Sequence, residues 1–315
     1  MNQIGLFVIP IKVNNSVSTY NDYIDFLVEA EKFGYTHVYV GEHLTDSKED
    51  IQSSLIFSAA LLARTKNLNV CLCVLPLPHY DIKLLIKQLE DLFRLAHGRL
   101  QIGFSQGALK SDAEYLNFDH SSRSHIFNEK LNLFLKEIKK SSYLNKIPSE
   151  NFFSTLLSPY PVKSSFLYEN GFSAITSNFV NEHFWENHIG CFLKNNHELK
   201  SSSKWHISLN LRPTELITNR TKDSIKESLF YIYEKLKLCN IDVMLPEIDN
   251  KKCKYKDLLD HLYRHMTYEE FPKKYFFLKE KYKNIMGHPI VNLFDCIDDL
   301  EYTEFIMGLP KNENF

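Results

Sequence analysis

The chain has 315 residues, enough for one large domain or two small ones, and a chain of this length can remove ~75% of its unfolded surface from water without metal or disulfide staples. Apolar residues make up 44% and charged residues 24%, the balance of an ordinary globular protein rather than a disordered one. Lysine plus arginine (37) nearly cancel aspartate plus glutamate (39), for a formal charge of -2, which excludes a basic nucleic-acid footprint.

In chain order, segments of period two and period 3.6 alternate. Residues 4–9 form a short apolar run, and residues 20–33 carry Tyr20, Tyr23, Ile24, Leu27, Val28 and Ala30 on one helical stripe. Residues 37–40 are strand-like after the stop signal of Gly34. Residues 51–63 are helical, with Leu55, Ile56, Ala59, Ala60 and Ala63 on one face, and residues 69–75 form an apolar strand ended by Pro76 and Pro78. Residues 82–96 place Ile82, Leu85, Ile86, Leu89, Leu92, Phe93 and Ala96 on one stripe, with Asp81 as the N-cap. Residues 100–104 are the fourth strand and 126–138 the fourth long helix. Strands five to eight are expected at 152–157, 172–176, 206–211 and 303–307, with helices at 223–238 and 257–268 between the last two. Eight strands alternating with helices over this length predict a (β/α)8 barrel, elaborated between strands seven and eight, as one domain over residues 1–315. A doubly wound open sheet is the competitor, but the turn Ile9-Pro10-Ile11-Lys12 lacks its Gly-rich signature.

Compartment and cofactor classes narrow next. The N-terminus has no basic n-region, and the apolar run of 4–10 is too short to span a membrane. Six cysteines include no C-x-x-C pair; Cys71 and Cys73, two apart on a strand, face one side and read as buried free thiols. The expected location is the cytoplasm. Ten glycines and no G-x-G-x-x-G or Walker sequence argue against a phosphate site built on a Gly-rich loop. His261 and His265 share a helical face at i, i+4, but the Glu of H-E-x-x-H and a third ligand are missing, so no metal is expected.

In a barrel, reacting groups sit where strands end and βα loops begin. The second strand ends in Val40-Gly41-Glu42-His43, bringing a carboxylate and an imidazole to the rim together. Alternation sends them to opposite faces. The fourth strand ends in Gly103-Phe104-Ser105-Gln106-Gly107.

Four blocks in this order carry a resemblance. They are YTHVYVGEHLTD (35–46), LARTKNLNVCLCVLPLPHYD (62–81), QLEDLFRLAHGRLQIGFSQG (88–107) and DAEYLNF followed by Arg123, Phe127 and Glu129. Together they resemble the bacterial luciferase-like flavin monooxygenases. The resemblance implies a (β/α)8 barrel that binds reduced FMN at the strand C-termini, delivered by a separate flavin reductase. With O2 it would oxidise a small organic substrate such as an aldehyde. His43 matches the family's catalytic histidine, with proton handling as its implied role. Cys71 and Leu72 match a non-prolyl cis peptide beside the flavin ring, and Ser105 the place of a flavin-lining cysteine. The family also implies pairing through the second and third helices, as a homodimer or heterodimer, and because residues 51–63 are richer in small and apolar residues than a solvent-facing helix needs, some of Ser53, Ser54, Phe57 and Ser58 are expected to face a partner. Two departures stand out. Gln106 replaces the family's phosphate-binding arginine, and the loop after the fifth strand carries Pro159 and Pro161, leaving Lys163 and Ser164 as the expected phosphate partners. These departures weaken expected flavin retention and keep two alternatives open, a non-catalytic subunit of a two-chain oxygenase and a deazaflavin-dependent reductase.

Overall fold

The computed structural model describes residues 3–10, 18–155, 165–177, 189–191, 193, 194, 204–209, 277, 279–282, 286–293 and 300–311. Eight parallel strands close into a barrel: β1 (Gly5–Val8), β2 (His37–Val40), β3 (Asn69–Pro76), β4 (Leu100–Ser105), β5 (Phe152–Thr155), β6 (Ser173–Ser177), β7 (Trp205–Leu209) and β8 (Ile290–Leu293). Each strand pairs with its successor, and β8 returns to β1 with Ile290 opposite Gly5. The described helices are α1 (Tyr20–Phe33), α2 (Ser54–Arg64), α3 (Ile82–Ala96), α4 (Lys110–Tyr115), α5 (Arg123–Ile138), α6 (Ser165–Asn170) and α7 (Leu300–Gly308). None of the described helices is long and apolar enough to cross a membrane.

Local chemistry explains the element boundaries. Thr19 and Asp22 form a reciprocal capping box at the start of α1, and Asp81 accepts the Leu84 N–H at 2.9 Å to start α3. Arg99 accounts for the Gly-Arg pair before β4. Its guanidinium donates to the carbonyls of Ala96, Leu68 and Leu62 and to Thr65 Oγ1. It thereby ties the ends of α2 and α3 to the entry of β3, so this arginine is structural.

Strand alternation sorts the side chains into two cores. Leu6, Val38, Val40, Val70, Leu72, Ile102 and Phe104 point outward and pack under the helices, while Tyr39, Cys71, Cys73, Phe153, Ile175 and Ile290 fill the interior. Ser54, Phe57 and Ser58 are fully buried within the chain itself, so they do not face a partner as expected. The exposed large apolar residues of α2 and α3 are Ile56, Leu84 and Leu95.

The eighth strand is a correction. Residues 303–307 lie within α7, where Ile306 and Met307 are buried, and the barrel closes through Ile290–Leu293 instead. A short buried apolar run has no period that separates strand from helix, and β8 is only four residues long. Residues 210–276, including the helices expected at 223–238 and 257–268 and the pair His261 and His265, lie outside the described residues.

The barrel floor is unusual in being polar. His37 and His288 stack with centroids 4.0 Å apart, His206 meets His288 edge-on at 4.5 Å, and Tyr39 hydroxyl and His288 Nε2 are 2.9 Å apart. A side chain at Gly287 would start 2.2 Å from the His206 ring, so only glycine lets the chain pass there. Burial keeps these imidazoles neutral, pulling His37 down to about 3 and His206 to about 4, and His288 well below its ordinary value. Among the described residues, no three His, Cys, Asp or Glu side chains are arranged to hold a metal ion.

Candidate active site at the mouth of the barrel

The C-terminal ends of β2, β3 and β4 bring their loops to one rim. Beyond β2, Glu42 turns inward among the loops and is 8% exposed. Its Oε2 accepts the N–H and hydroxyl of Ser54, both at 2.7 Å, and its Oε1 the Tyr80 hydroxyl at 2.5 Å. Burial lifts the Glu42 carboxyl above its usual range, and these hydrogen bonds pull it partly back. Glu42 is thus a strut between the β2 end, α2 and the loop after β3, as its position opposite His43 predicts.

His43 takes the other side. Its side chain is 19% exposed, and its Nδ1 lies 2.5 Å from Glu49 Oε2, a carboxylate whose side chain is only 2% exposed. The loop between them is anchored independently. Thr45 donates through its N–H and hydroxyl to Asp112 Oδ1 at 2.9 and 2.6 Å, and Asp112 is itself 1% exposed at the start of α4.

The loop after β3 adds a second imidazole. His79 follows Pro78 in a short 3-10 turn, and Lys130 of α5 holds that turn by donating to the carbonyls of Pro78 and Tyr80 at 2.8 and 2.7 Å. Burial, with further effects from His43 and Lys130, lowers His79 to about 4 despite the opposing pull of Asp112. At neutral pH this ring is uncharged.

Beneath these groups, β3 carries a cis peptide between Cys73 and Val74. That corrects the position expected at Cys71 and Leu72 by two residues. The pairing of β3 with β4 shifts register between Leu72 and Leu75, and this irregularity turns Val74 toward the interior cluster beside Cys73. Leu72 belongs to the outer core under the helices, so its side chain does not line the mouth. Cys71 is buried deep in the interior with its thiol pushed up by burial. Ser105 and Gln106 are half-buried at the end of β4, and Ser105 Oγ accepts the Gly107 N–H at 3.3 Å. Gly107 has φ +77°, and a Cβ there would fall 2.9 Å from His79 Nε2. Lys163 and Ser164 lie outside the described residues.

The mouth therefore unites His43, Ser105 and Gln106 from the sequence reading with three residues that reading missed: Glu49, His79 and Asp112. Glu49 hides in the charged run Asp46-Ser47-Lys48-Glu49-Asp50, which has the composition of a solvated loop. His79 had one usable signal, a histidine in the turn after a barrel strand.

The comparisons with known proteins agree with this architecture. Residues 5–143 match the family described as luciferase-like monooxygenase. A limonene 1,2-monooxygenase of Rhodococcus erythropolis is 31% identical over 96 residues, 30% of this chain and 25% of that protein. A 4-hydroxyprotoasukamycin monooxygenase of Streptomyces nodosus subsp. asukaensis is 29% identical over 89 residues, 28% of this chain and 24% of that protein. The chain thus spans about a quarter of the length of these curated relatives. Among solved structures, the oxygenating constituent of the 3,6-diketocamphane monooxygenase of Pseudomonas putida, a type II Baeyer-Villiger monooxygenase in complex with FMN, gives a TM-score of 0.76 at 16% identity, over 98% of this chain and 97% of that one. At that identity the likeness concerns the fold. The first four strands lie inside the segment that matches the luciferase-like monooxygenase family, and the remaining four complete a barrel of the same fold as the diketocamphane monooxygenase constituent.

Proposed function

We propose that the chain is a flavin-dependent monooxygenase that uses reduced FMN and O2 on a small organic substrate, aldehyde-like in class. The observation that carries this reading is His43, held on the buried carboxylate of Glu49 at the C-terminal mouth of a luciferase-like barrel. The FMN in the diketocamphane monooxygenase structure supports the choice of cofactor.

The residues at the mouth fit the ring end of a flavin. The cis-linked Cys73–Val74 pair supplies an apolar floor, and Gly107 lets the backbone after β4 pass close against the His79 ring. Ser105 and Gln106 offer neutral hydrogen-bonding groups beside it. Lys163 and Ser164 are the proposed partners of the phosphate. When bound, reduced flavin supplies the electrons for oxygen activation. The chain's own task is to exclude water with the buried floor and to hold or release a proton at His43.

The reading includes a separate flavin reductase, pairing as a homodimer or heterodimer, and one domain over residues 1–315. It also includes a cytoplasmic location, supported by the buried free thiols of Cys71 and Cys73.

A second reading, a non-catalytic barrel paired with a catalytic chain, is favoured by one observation. The β4 end presents the neutral Gln106 where the resemblance calls for an arginine. Anaerobic titration of the protein with reduced and with oxidised FMN separates the two. Tight binding of the reduced form, followed by protein-dependent oxidation of a test aldehyde in air, supports the oxygenase. Binding of neither form overturns it.

A further inference from the structure

We infer that Glu49 is the positioning residue of His43, fixing the ring so that Nε2 is the atom that exchanges a proton at the barrel mouth. An ionised carboxylate is acceptor-only. With Glu49 ionised, the His43 Nδ1 that lies 2.5 Å from its Oε2 is the ring nitrogen that carries the hydrogen. The neutral ring then has its lone pair on Nε2, at the opposite edge.

The loop is built to hold this pair together. Residue 49 returns to residue 43 after a tight turn in which Glu49 N–H donates to the Asp46 carbonyl at 3.3 Å and Lys48 N–H to Asp46 Oδ1 at 3.0 Å. The His43 N–H donates to the Ile51 carbonyl at 3.3 Å, and the Asp50 N–H to the Pro10 carbonyl at 3.3 Å. Thr45 pins the outer side of the loop to Asp112. Backbone and side chains thus fix both the imidazole and its carboxylate before anything binds. Such a buried pair behind a partly exposed ring is the arrangement that orients a general base and balances the charge it gains.

The step is a proton transfer with no redox change. Nε2 accepts a proton from a bound hydroxyl or water, the ring becomes an imidazolium, and Glu49 stays ionised and offsets the charge. The same proton then leaves from Nε2 to the group that needs it.

The proposal rests on the oxygenase reading for its purpose, and its test does not depend on that reading. The full chain is labelled with 15N-histidine, and long-range 1H–15N spectra are recorded near neutral pH, with His43 assigned through His43→Gln. The expected result for the wild type is a protonated Nδ1 and an unprotonated Nε2. In Glu49→Gln the Nδ1–H population should fall to about half or less, whereas Glu49→Asp keeps it, because the charge is what selects the tautomer. Thermal melts confirm that each variant is folded, and the wild-type spectrum alone keeps the test decisive should Glu49→Gln not fold. A wild-type His43 protonated at Nε2, or a folded Glu49→Gln whose His43 keeps its Nδ1–H unchanged, overturns the proposal. Failure of the protein to bind either form of FMN overturns the oxygenase reading and leaves this result standing.

Discussion

The Tyr80 hydroxyl donates to Glu42 Oε1 at 2.5 Å, joining the loop after β3 to the end of β2. With Ser54 closing on the other carboxylate oxygen, three segments of the rim converge on one side chain. The adjacent residue, His43, is thereby carried on a rigid strand end.

Glu42→Gln should cost about 1.5–3 kcal/mol, because the amide nitrogen turns a donor toward groups that themselves donate. Urea unfolding of the two proteins measures this. The pH dependence has a defined sign. Burial raises the folded carboxyl above its unfolded value, so its contribution is fully present below the unfolded value and is lost as pH rises through the folded one. In the Gln variant that component of the slope disappears. An unchanged unfolding midpoint would show that the strut carries no stability.

The histidine floor produces the opposite trend. His37 and His206 are lowered to about 3 and about 4 in the folded chain, against about 6.5 when unfolded. Unfolding takes up protons between those values, so stability is complete above about pH 6.5 and falls as pH drops toward 4. Each histidine contributes at most about 1.4 kcal/mol per pH unit in that window. Urea midpoints at pH 7.5 and pH 5 should differ clearly in the wild type and differ less in His206→Gln. Equal slopes in both proteins would remove the floor from the acid response.

Gly107→Ala tests the shape of the mouth. The residue sits at φ +77° with His79 Nε2 2.9 Å from the position of the added carbon. Left-handed backbone costs a non-glycine residue roughly 1–2 kcal/mol, and the His79 ring must also move. The expected outcome is a lower thermal midpoint together with FMN binding weakened about tenfold or more. Binding at wild-type affinity would show that the flavin does not depend on where the His79 ring sits.

Much of this architecture was legible because the first half of the chain is strongly periodic. The span of α3 was readable from seven apolar residues on one stripe and an aspartate cap. Strand β8 was not, since four residues give too little alternation and the apolar segment at 303–307 competes for the role. For the site, strand-end logic reaches His43 and Glu42, because both lie within three residues of β2. It cannot reach Glu49 or Asp112. Their roles depend on a loop that folds back and on a contact between Thr45 and Asp112, 67 positions apart. The polar floor escaped for the same reason, since His37, His206 and His288 meet only when the barrel closes.

Gln106→Arg is a gain-of-function test at the end of β4. A guanidinium there can grip a phosphate through two parallel hydrogen bonds, which a neutral amide cannot do. Isothermal titration with FMN should show tighter binding, weakening again with added salt as a charge pair requires. Unaltered affinity would mean that the phosphate lies away from residue 106.

His43→Ala addresses the chemistry itself. The imidazole presents a partly exposed edge at the mouth while Glu49 holds the other, so removing it takes away a proton carrier without disturbing the apolar floor formed by Cys73 and Val74. Loss of a positioned acid–base group lowers turnover by roughly 10²–10⁴, whereas FMN affinity should change no more than about twofold, since the ring's main contacts remain. The variant leaves Glu49 buried beside an empty space, which costs stability, so turnover is compared only at temperatures where melts show the variant folded. His43→Gln supplies the control, because it restores volume and a hydrogen-bond donor to Glu49 without a titrating group, and it should be as slow as the alanine variant. Turnover with reduced FMN, air and an aldehyde series gives the comparison. Full turnover in His43→Ala would remove His43 from the mechanism, and recovery in His43→Gln would make its role structural rather than protonic.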